Sequence, residues 1–480
     1  MSIQDLFSSP KTRRLAFLVL LALAGCAQLP RSGTLPAPKP ADRYAVAASL
    51  GQPTGQWPTD DWWMRFGDAQ LDALIGAALQ ASPSLAMAQA RVDKALAAAR
   101  SAGANLAPSV DASGGVGRVK QSYNNGIPED FVPHGWNTSA NVGLNLHWEL
   151  DFWSKNRAAL TAATSAADAA AADRAQARLV LTTAIASGYV ELARLTALRT
   201  TAQQATAVRK QTLLLFTERQ RNGLETVASL RQAAAKQAMA EADLIAIDES
   251  IVLQKHQLAY LAGAGPDLAL TITAPALDLA APAGTPSVLP ADLIGRRPDV
   301  AAARSRTEAM AQRIHEARAA FYPNVNLSAA FGYQSLGLDL LTKSGSLAGN
   351  VGPAISLPIF NTARLQGQYQ GARADYAQAV AAYDDAVAQA LRDVADAATS
   401  QRMLAGRLER TEAAVAASDE AWRIVRNRYK GGLATYLDVL GVEDALLTNT
   451  RELATLRARR IALDVQMIRA LGGGFGGTQG

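Results

Sequence analysis

Four histidines and one cysteine are the whole stock of imidazole and thiol in this 480-residue chain. His134, His147, His256 and His315 show no metal-ligand spacing and read as structural or surface residues. One cysteine excludes an intramolecular disulfide and any multi-cysteine zinc or iron–sulfur site. No Gly-x-Ser-x-Gly, Walker loop or His-Glu-x-x-His occurs, which argues against an enzyme such as a lipoprotein hydrolase. The carboxylates say more. Asp438, Glu443 and Asp444 closely follow Arg428-Tyr429-Lys430-Gly431-Gly432. A glycine pair after a long helical run is a natural helix C-terminus. Thr435-Tyr-Leu-Asp438 then fits a capping box, with Thr435 as N-cap and Asp438 at the third helical position. Glu443 and Asp444 lie roughly 140° and 240° around such a helix from Asp438, so the three carboxylates do not share one face. A second such break, at Asn222-Gly223, carries Arg219, Arg221, Glu225 and Thr226, which are candidates for contacts between helices.

The cysteine has a particular place. Lys11-Thr-Arg-Arg14 precedes about ten apolar residues, half of what a membrane-spanning helix needs. A basic segment followed by a short apolar one is a secretory signal peptide, expected over 1–25. It ends Leu23-Ala24-Gly25-Cys26, which resembles a bacterial lipobox. That resemblance implies an S-diacylglyceryl group and an N-acyl chain on Cys26, and no other cofactor is expected. Two such lipid signals give stable anchoring where one does not. Ala27, in place of an aspartate, favours the outer membrane by the same resemblance. Residues 26–60 are rich in Pro, Gly, Ser and Ala and read as an extended tether.

The elements that carry these residues occur twice. Pro83 pairs with Pro298 and Pro108 with Pro323. Phe152-Trp153-Ser154-Lys155-Asn156-Arg157 faces Ile359-Phe360-Asn361-Thr362-Ala363-Arg364, and Arg219–Leu224 faces Arg428–Leu433. The chain is therefore two copies of one unit, over 61–280 and 281–472, with a mobile tail expected at 473–480. Each copy begins with a helix that a proline ends. A Gly/Asn/Ser-rich region follows, then a helix over 154–221 or 361–430. A return helix follows over 225–262 or 434–471. A helix of 68 residues spans roughly 100 Å. Val380, Tyr383, Val387, Leu391 and Val394 follow coiled-coil spacing, and alanine, roughly a fifth of the chain, favours helix and close approach.

The glycine-rich regions alternate instead. Ala140, Val142, Leu144, Leu146 and Trp148 interleave with Asn141, Gly143, Asn145 and His147. Val325, Leu327, Ala329, Phe331 and Tyr333 do the same, and 347–357 repeats the pattern. Period two means a strand with one apolar and one polar face. Strands are expected at about 108–119, 138–150, 323–334 and 346–358. Ten residues suit a transmembrane β-strand, but four strands cannot close a barrel, so a membrane role requires several chains. The alternative is a sheet packed on the helices. A net charge of +5, from 47 basic and 42 acidic residues, is no nucleic-acid footprint.

These features together resemble the outer membrane factors, the TolC/OprM-like outlets of tripartite efflux pumps, and their lipoprotein branch in particular. The resemblance rests on Phe66-Gly-Asp-Ala-Gln-Leu71 in the opening helix, Arg296-Arg297-Pro298-Asp299-Val300, and Leu357-Pro358-Ile359-Phe360. It also rests on Arg428-Tyr429-Lys-Gly-Gly432 with Tyr436-Leu437-Asp438-Val439-Leu440. It implies a fold of long α-helical barrel plus four strands per protomer. A homotrimer would form a 12-stranded β-barrel in the outer membrane. The implied function is passive conduction of drugs, small toxic compounds or metal ions to the exterior. The implied partners are a periplasmic adaptor, an inner-membrane transporter of the resistance–nodulation–division type, and outer-membrane lipid. It places the turns at Gly223 and at Gly431 and Gly432 at the periplasmic tip, where the pore closes. Asp438, Tyr429, Glu443 and Asp444 then become candidates for the constriction. Three-fold symmetry would make any pore-facing carboxylate a ring of three that favours cations. Gly441 stands where many relatives carry a second aspartate. A coiled-coil adaptor without a pore and a type I secretion outlet are the alternatives. An adaptor would not need the apolar face of the strands.

Overall fold

The computed structural model describes residues 29–30, 33–40, 43–45, 56–124, 126–277, 293 and 295–476. The signal segment and Leu23, Ala24, Gly25 and Cys26 lie outside the described residues. The elements run α1 (Ala69–Ala81), α2 (Pro83–Ala104), β1 (Ser109–Val119), β2 (Asn137–Glu149), α3 (Lys155–Arg221) and α4 (Val227–Leu261). The second copy runs α5 (Pro298–Ala319), β3 (Asn324–Leu336), β4 (Leu347–Ser356), α6 (Thr362–Lys430) and α7 (Tyr436–Ala470). The duplication is kept in length: α2 and α5 each have 22 residues, α3 and α6 have 67 and 69, and α4 and α7 each have 35. Among the described residues no single helix is long and apolar enough to cross a membrane.

The chain divides into two compact units. One contains 92–169 and 303–383 and holds the sheet. The sheet has the order β1-β2-β3-β4, every pair antiparallel. The register places apolar positions opposite apolar positions. Val110 faces Leu146, Gly114 faces Val142, Leu144 faces Phe331, Val142 faces Tyr333, and Ala329 faces Val351. Directly opposed residues share a face, so the alternating apolar residues of all four strands form one continuous apolar band. Among the described residues no layer covers it. Val142, Leu144, Phe331, Val351 and Ile355 are 48–77% exposed. The other face carries Asp111, Ser113, Asn141, Asn145, Ser328 and Asn350, with Asn145 donating to Ser113 Oγ at 2.9 Å. A sheet packed on the helices would have hidden the band, so that alternative fails. Gly332 leaves no room for a side-chain carbon against β2. A Cβ there would sit 2.3 Å from the carbonyl oxygen of Val142.

In the same unit the strand ends are tied to the helices by aromatic side chains. Trp148 Nε1 donates to the carbonyl of Leu106, and Trp153 Nε1 to that of Pro323. Trp153 stacks on Tyr322 at 4.7 Å between centroids. Leu29 packs on a small core of Phe321 and Leu365 with Tyr369.

The other unit contains 170–302 and 384–476 together with 56–91. Its core joins Trp62, Trp63, Phe66, Leu71 and Ile75 to Ile185, Tyr189, Leu192, Leu258, Ile461, Val465 and Ile468. The tryptophans thus pack the opening helix. Asp68 caps α1 and also accepts from the Tyr189 hydroxyl at 2.8 Å. Arg297, from the Arg-Arg-Pro-Asp motif, is buried and pairs with Asp299 and Asp393 while donating to the carbonyl of Ala470. That motif is a structural pin joining α5, α6 and α7. The first residues assigned to a mobile tail are packed against the core unit. Gly473 and Gly474, assigned to it, instead pack closely on Leu179 and on the backbone of Thr59.

Candidate functional site

Both long helices end in the same way. Leu224 N–H donates to the carbonyl of Arg219 and Gly223 N–H to that of Gln220. Leu433 and Gly432 repeat this with Arg428 and Tyr429. This is the Schellman arrangement, which satisfies the last carbonyls and needs a residue in the left-handed region. Gly223 and Gly432 supply it with φ of 73° and 74°, while Gly431 has no positive φ. Each return helix then starts on a threonine cap, Thr226 or Thr435.

At Thr435 the capping box is complete. The Asp438 N–H donates to Thr435 Oγ1, and the Asp438 carboxylate accepts from both the N–H and the hydroxyl of Thr435 at 2.7 Å. These hydrogen bonds, with Arg428 adding a smaller pull, hold its carboxyl below the usual aspartate range. The side chain remains exposed. Asp438 is therefore a cap whose charge is also presented to solvent. In the first copy the equivalent position is Ser229, which caps without charge.

Tyr429 and Glu443 do not stay at the surface. Tyr429 is 4% exposed and lies against Phe216, with Tyr436, Val439, Leu440 and Ala233 in one small core. Its hydroxyl donates to Glu225 Oε1 at 3.0 Å, and the Arg219 guanidinium sits 4.9 Å over its ring. Burial and the Glu225 carboxylate push its hydroxyl pKa up. Glu443 is 2% exposed. Both side chains, constriction candidates from their place near the turn, are buried within the protomer. The reason is the fold between repeats: α7 turns that face toward α3. Asp444, one residue on, is half exposed. The carboxylates thus divide as the helical angles require, with Asp438 outward, Glu443 inward and Asp444 between.

Sequence reasoning missed the residue that organises this region. Arg209, on α3, is 5% exposed, lies 3.2 Å from Glu443 and also pairs with Asp444. Lys236, on α4, reaches Asp444 at 3.2 Å. No local pattern announces Arg209, because its partner stands 235 residues away. Among the described residues no group of His, Cys, Asp and Glu is arranged to hold a metal ion.

Residues 74–264 and 289–473 match the family model described as outer membrane efflux protein. The fusaric acid resistance protein FusA of Burkholderia cepacia is 34% identical over 97% of this chain and 89% of its own length. The multidrug resistance outer membrane protein MdtP of Escherichia coli K12 is 29% identical, over 94% of each chain. The crystal structure of the outer membrane protein VceC of Vibrio cholerae is 47% identical. It superposes with a TM-score of 0.83 over 87% of this chain and 100% of that one. The outer membrane channel CmeC of Campylobacter jejuni has the same fold, with a TM-score of 0.84 at 22% identity. The two matched segments coincide with the two structural copies, and the exposed apolar sheet face fits an outer-membrane location. The chain belongs to the outer membrane efflux protein family.

Proposed function

We propose that three copies of this chain assemble into one duct, with β1 of one copy pairing to β4 of the next in a closed 12-stranded barrel. The chain's function is that of an outer-membrane exit duct for efflux. The observation that carries the finer reading is the sheet itself. It has an apolar band with no cover in the protomer and two strand edges that no described strand pairs. An unpaired edge is untenable in lipid, where backbone groups must be satisfied within the protein. Closure by copies of the same sheet satisfies both demands.

Substrate would pass through passively, driven by an inner-membrane transporter of the resistance–nodulation–division type and a periplasmic adaptor. Drugs, small toxic compounds and metal ions are the substrate classes. The turns after α3 and α6 would form the closure, with Asp438 as the exposed carboxylate of the tip. Cys26 would carry the lipid anchor. The short stretch from Leu29, which packs on Phe321 and Leu365, supports an anchor near the strand-to-helix passages.

The test is the mass of the detergent-solubilised protein after covalent cross-linking, together with conductance in a planar bilayer. A trimer that conducts is the expected result. A monomer that never inserts would remove the duct.

A further inference from the structure

The passage from strand to helix occurs twice in the chain, and only the first is completed. After β2 the chain folds over the end of α5, which leads into β3. Leu150 N–H donates to the carbonyl of Val325 at 2.8 Å, Trp153 Nε1 donates to the carbonyl of Pro323, and the Trp153 ring stacks on Tyr322. This is a joint between repeats, since β2 belongs to the first and α5 to the second. After β4 the same passage recurs at a spacing of 207 residues, with Phe360 in the place of Trp153. The end of α2 corresponds to the end of α5 at a spacing of 215, with Ala107 in the place of Tyr322 and Pro108 in that of Pro323.

The two halves of this second joint stand apart. Phe360 is 98% exposed, against 48% for Trp153. Ala107 and Pro108 are exposed, whereas Tyr322 and Pro323 are half-buried. Ala107 and Pro108 lead into β1, and Phe360 follows β4, so the halves lie at the two opposite edges of the sheet. Each chain therefore carries one open half of each kind.

We propose that Phe360 of one chain docks on Ala107 and Pro108 of the next, so that the seam between chains repeats the joint between repeats. The inference rests on the three-chain reading of the sheet. A contact between two different surfaces of identical chains closes into a ring when its rotation allows. The same correspondence can be carried into the strands. Trp148 faces Leu327 and Leu144 faces Phe331 across β2 and β3. At the two spacings these pairs become Ile355 with Ala112, and Val351 with Val116, of the next chain. Both pairs are apolar, so the band continues across the seam on one face, which a slip of one residue would not allow. The seam is the lighter version of the joint. Phenylalanine has no N–H for the Pro108 carbonyl, and Ala107 offers a methyl group where Tyr322 offers a ring. The contact between chains is thus apolar and lacks the hydrogen bond that fixes Trp153. The competing occupant is lipid, because an exposed aromatic residue at a strand end also suits a membrane interface.

The experiment uses the full chain in detergent and in vesicles, with Phe360→Cys and Ala107→Cys made singly and together. Cys26 is the sole native cysteine, so wild type sets the background. A short bis-maleimide should convert the double variant to covalent trimer on a denaturing gel after boiling, and leave each single variant monomeric. In the assembled protein the Phe360→Cys thiol should lose reactivity toward both a water-soluble and a lipid-soluble maleimide, and regain it on denaturation. Covalent dimer from Phe360→Cys alone would overturn the joint. So would no product from the double variant while amine cross-linking still gives a trimer, and the duct would stand. Labelling of the assembled protein by the lipid-soluble reagent would also overturn it and make Phe360 a lipid anchor. Absence of a trimer from amine cross-linking of wild type would remove the three-chain reading and the joint with it. If the double variant does not assemble, the labelling of Phe360→Cys decides, and equal rates before and after denaturation overturn the proposal.

Discussion

Asp438 serves local structure and leaves its charge in solvent. It completes the cap at Thr435 and still faces solvent. Asp438→Asn keeps an oxygen for the cap and removes the charge. We expect its melting temperature at neutral pH to fall slightly, while its cation-over-anion permeability ratio moves toward unity. Reversal potentials under a salt gradient measure this. The sign of the pH dependence follows from a carboxyl held below its usual range. The folded-state stabilisation is present above the ordinary aspartate pKa and is lost only as pH falls through the lower folded value. Cation preference should therefore persist from neutral pH through about pH 4, the ordinary aspartate value, and fail only at lower pH. Thr435 and Asp438 were legible in the sequence because a cap is made within one turn. Tyr429, Glu443 and Arg209 were not, because burial there is decided by α3 meeting α7 across more than two hundred residues. The sequence named Tyr429 and Glu443 as pore candidates by proximity to the turn, and the fold enclosed both.

The helices and strands were far more legible than their partners. The strand expected at about 138–150 runs Asn137–Glu149, and the helix expected at 154–221 runs Lys155–Arg221. Proline, glycine and the change of period from 3.6 to 2 mark these boundaries locally. The return helices start two residues later than expected, because Thr226 and Thr435 cap them from outside. Two glycines test the elements directly. Gly432→Ala puts a Cβ on a residue with φ of 74° and nothing else nearby. It should cost about 1–2 kcal/mol, the left-handed penalty, with the barrel intact. Gly332→Ala drives a Cβ against the Val142 carbonyl, so the β2–β3 register must give. Heat-resistant trimer on a gel should persist for the first variant and fall sharply for the second.

For the whole molecule, the count of strands carried the main message. Four alternating strands in a membrane require several chains, and the band left exposed among the described residues is the face that such a union would turn to lipid. The two faces can be separated by adjacent residues. Val351 belongs to the apolar band and Asn350 to the polar face. Val351→Arg should cost about 2–4 kcal/mol of insertion at mid-membrane depth, whereas Asn350→Arg should insert normally and alter conductance. Urea titration of protein folded into vesicles measures the first, and single-channel recording the second. The register has a consequence for flow. Ser113, Gly143, Gly332 and Ala348 stand directly opposite one another across the sheet, all on the polar face. With three copies closed into one wall of tilted strands, each copy would contribute one such row of positions bearing at most a hydroxymethyl group. Side chains would narrow the bore little along these rows, so a solute-size limit belongs elsewhere, and Ala348→Trp would install one here.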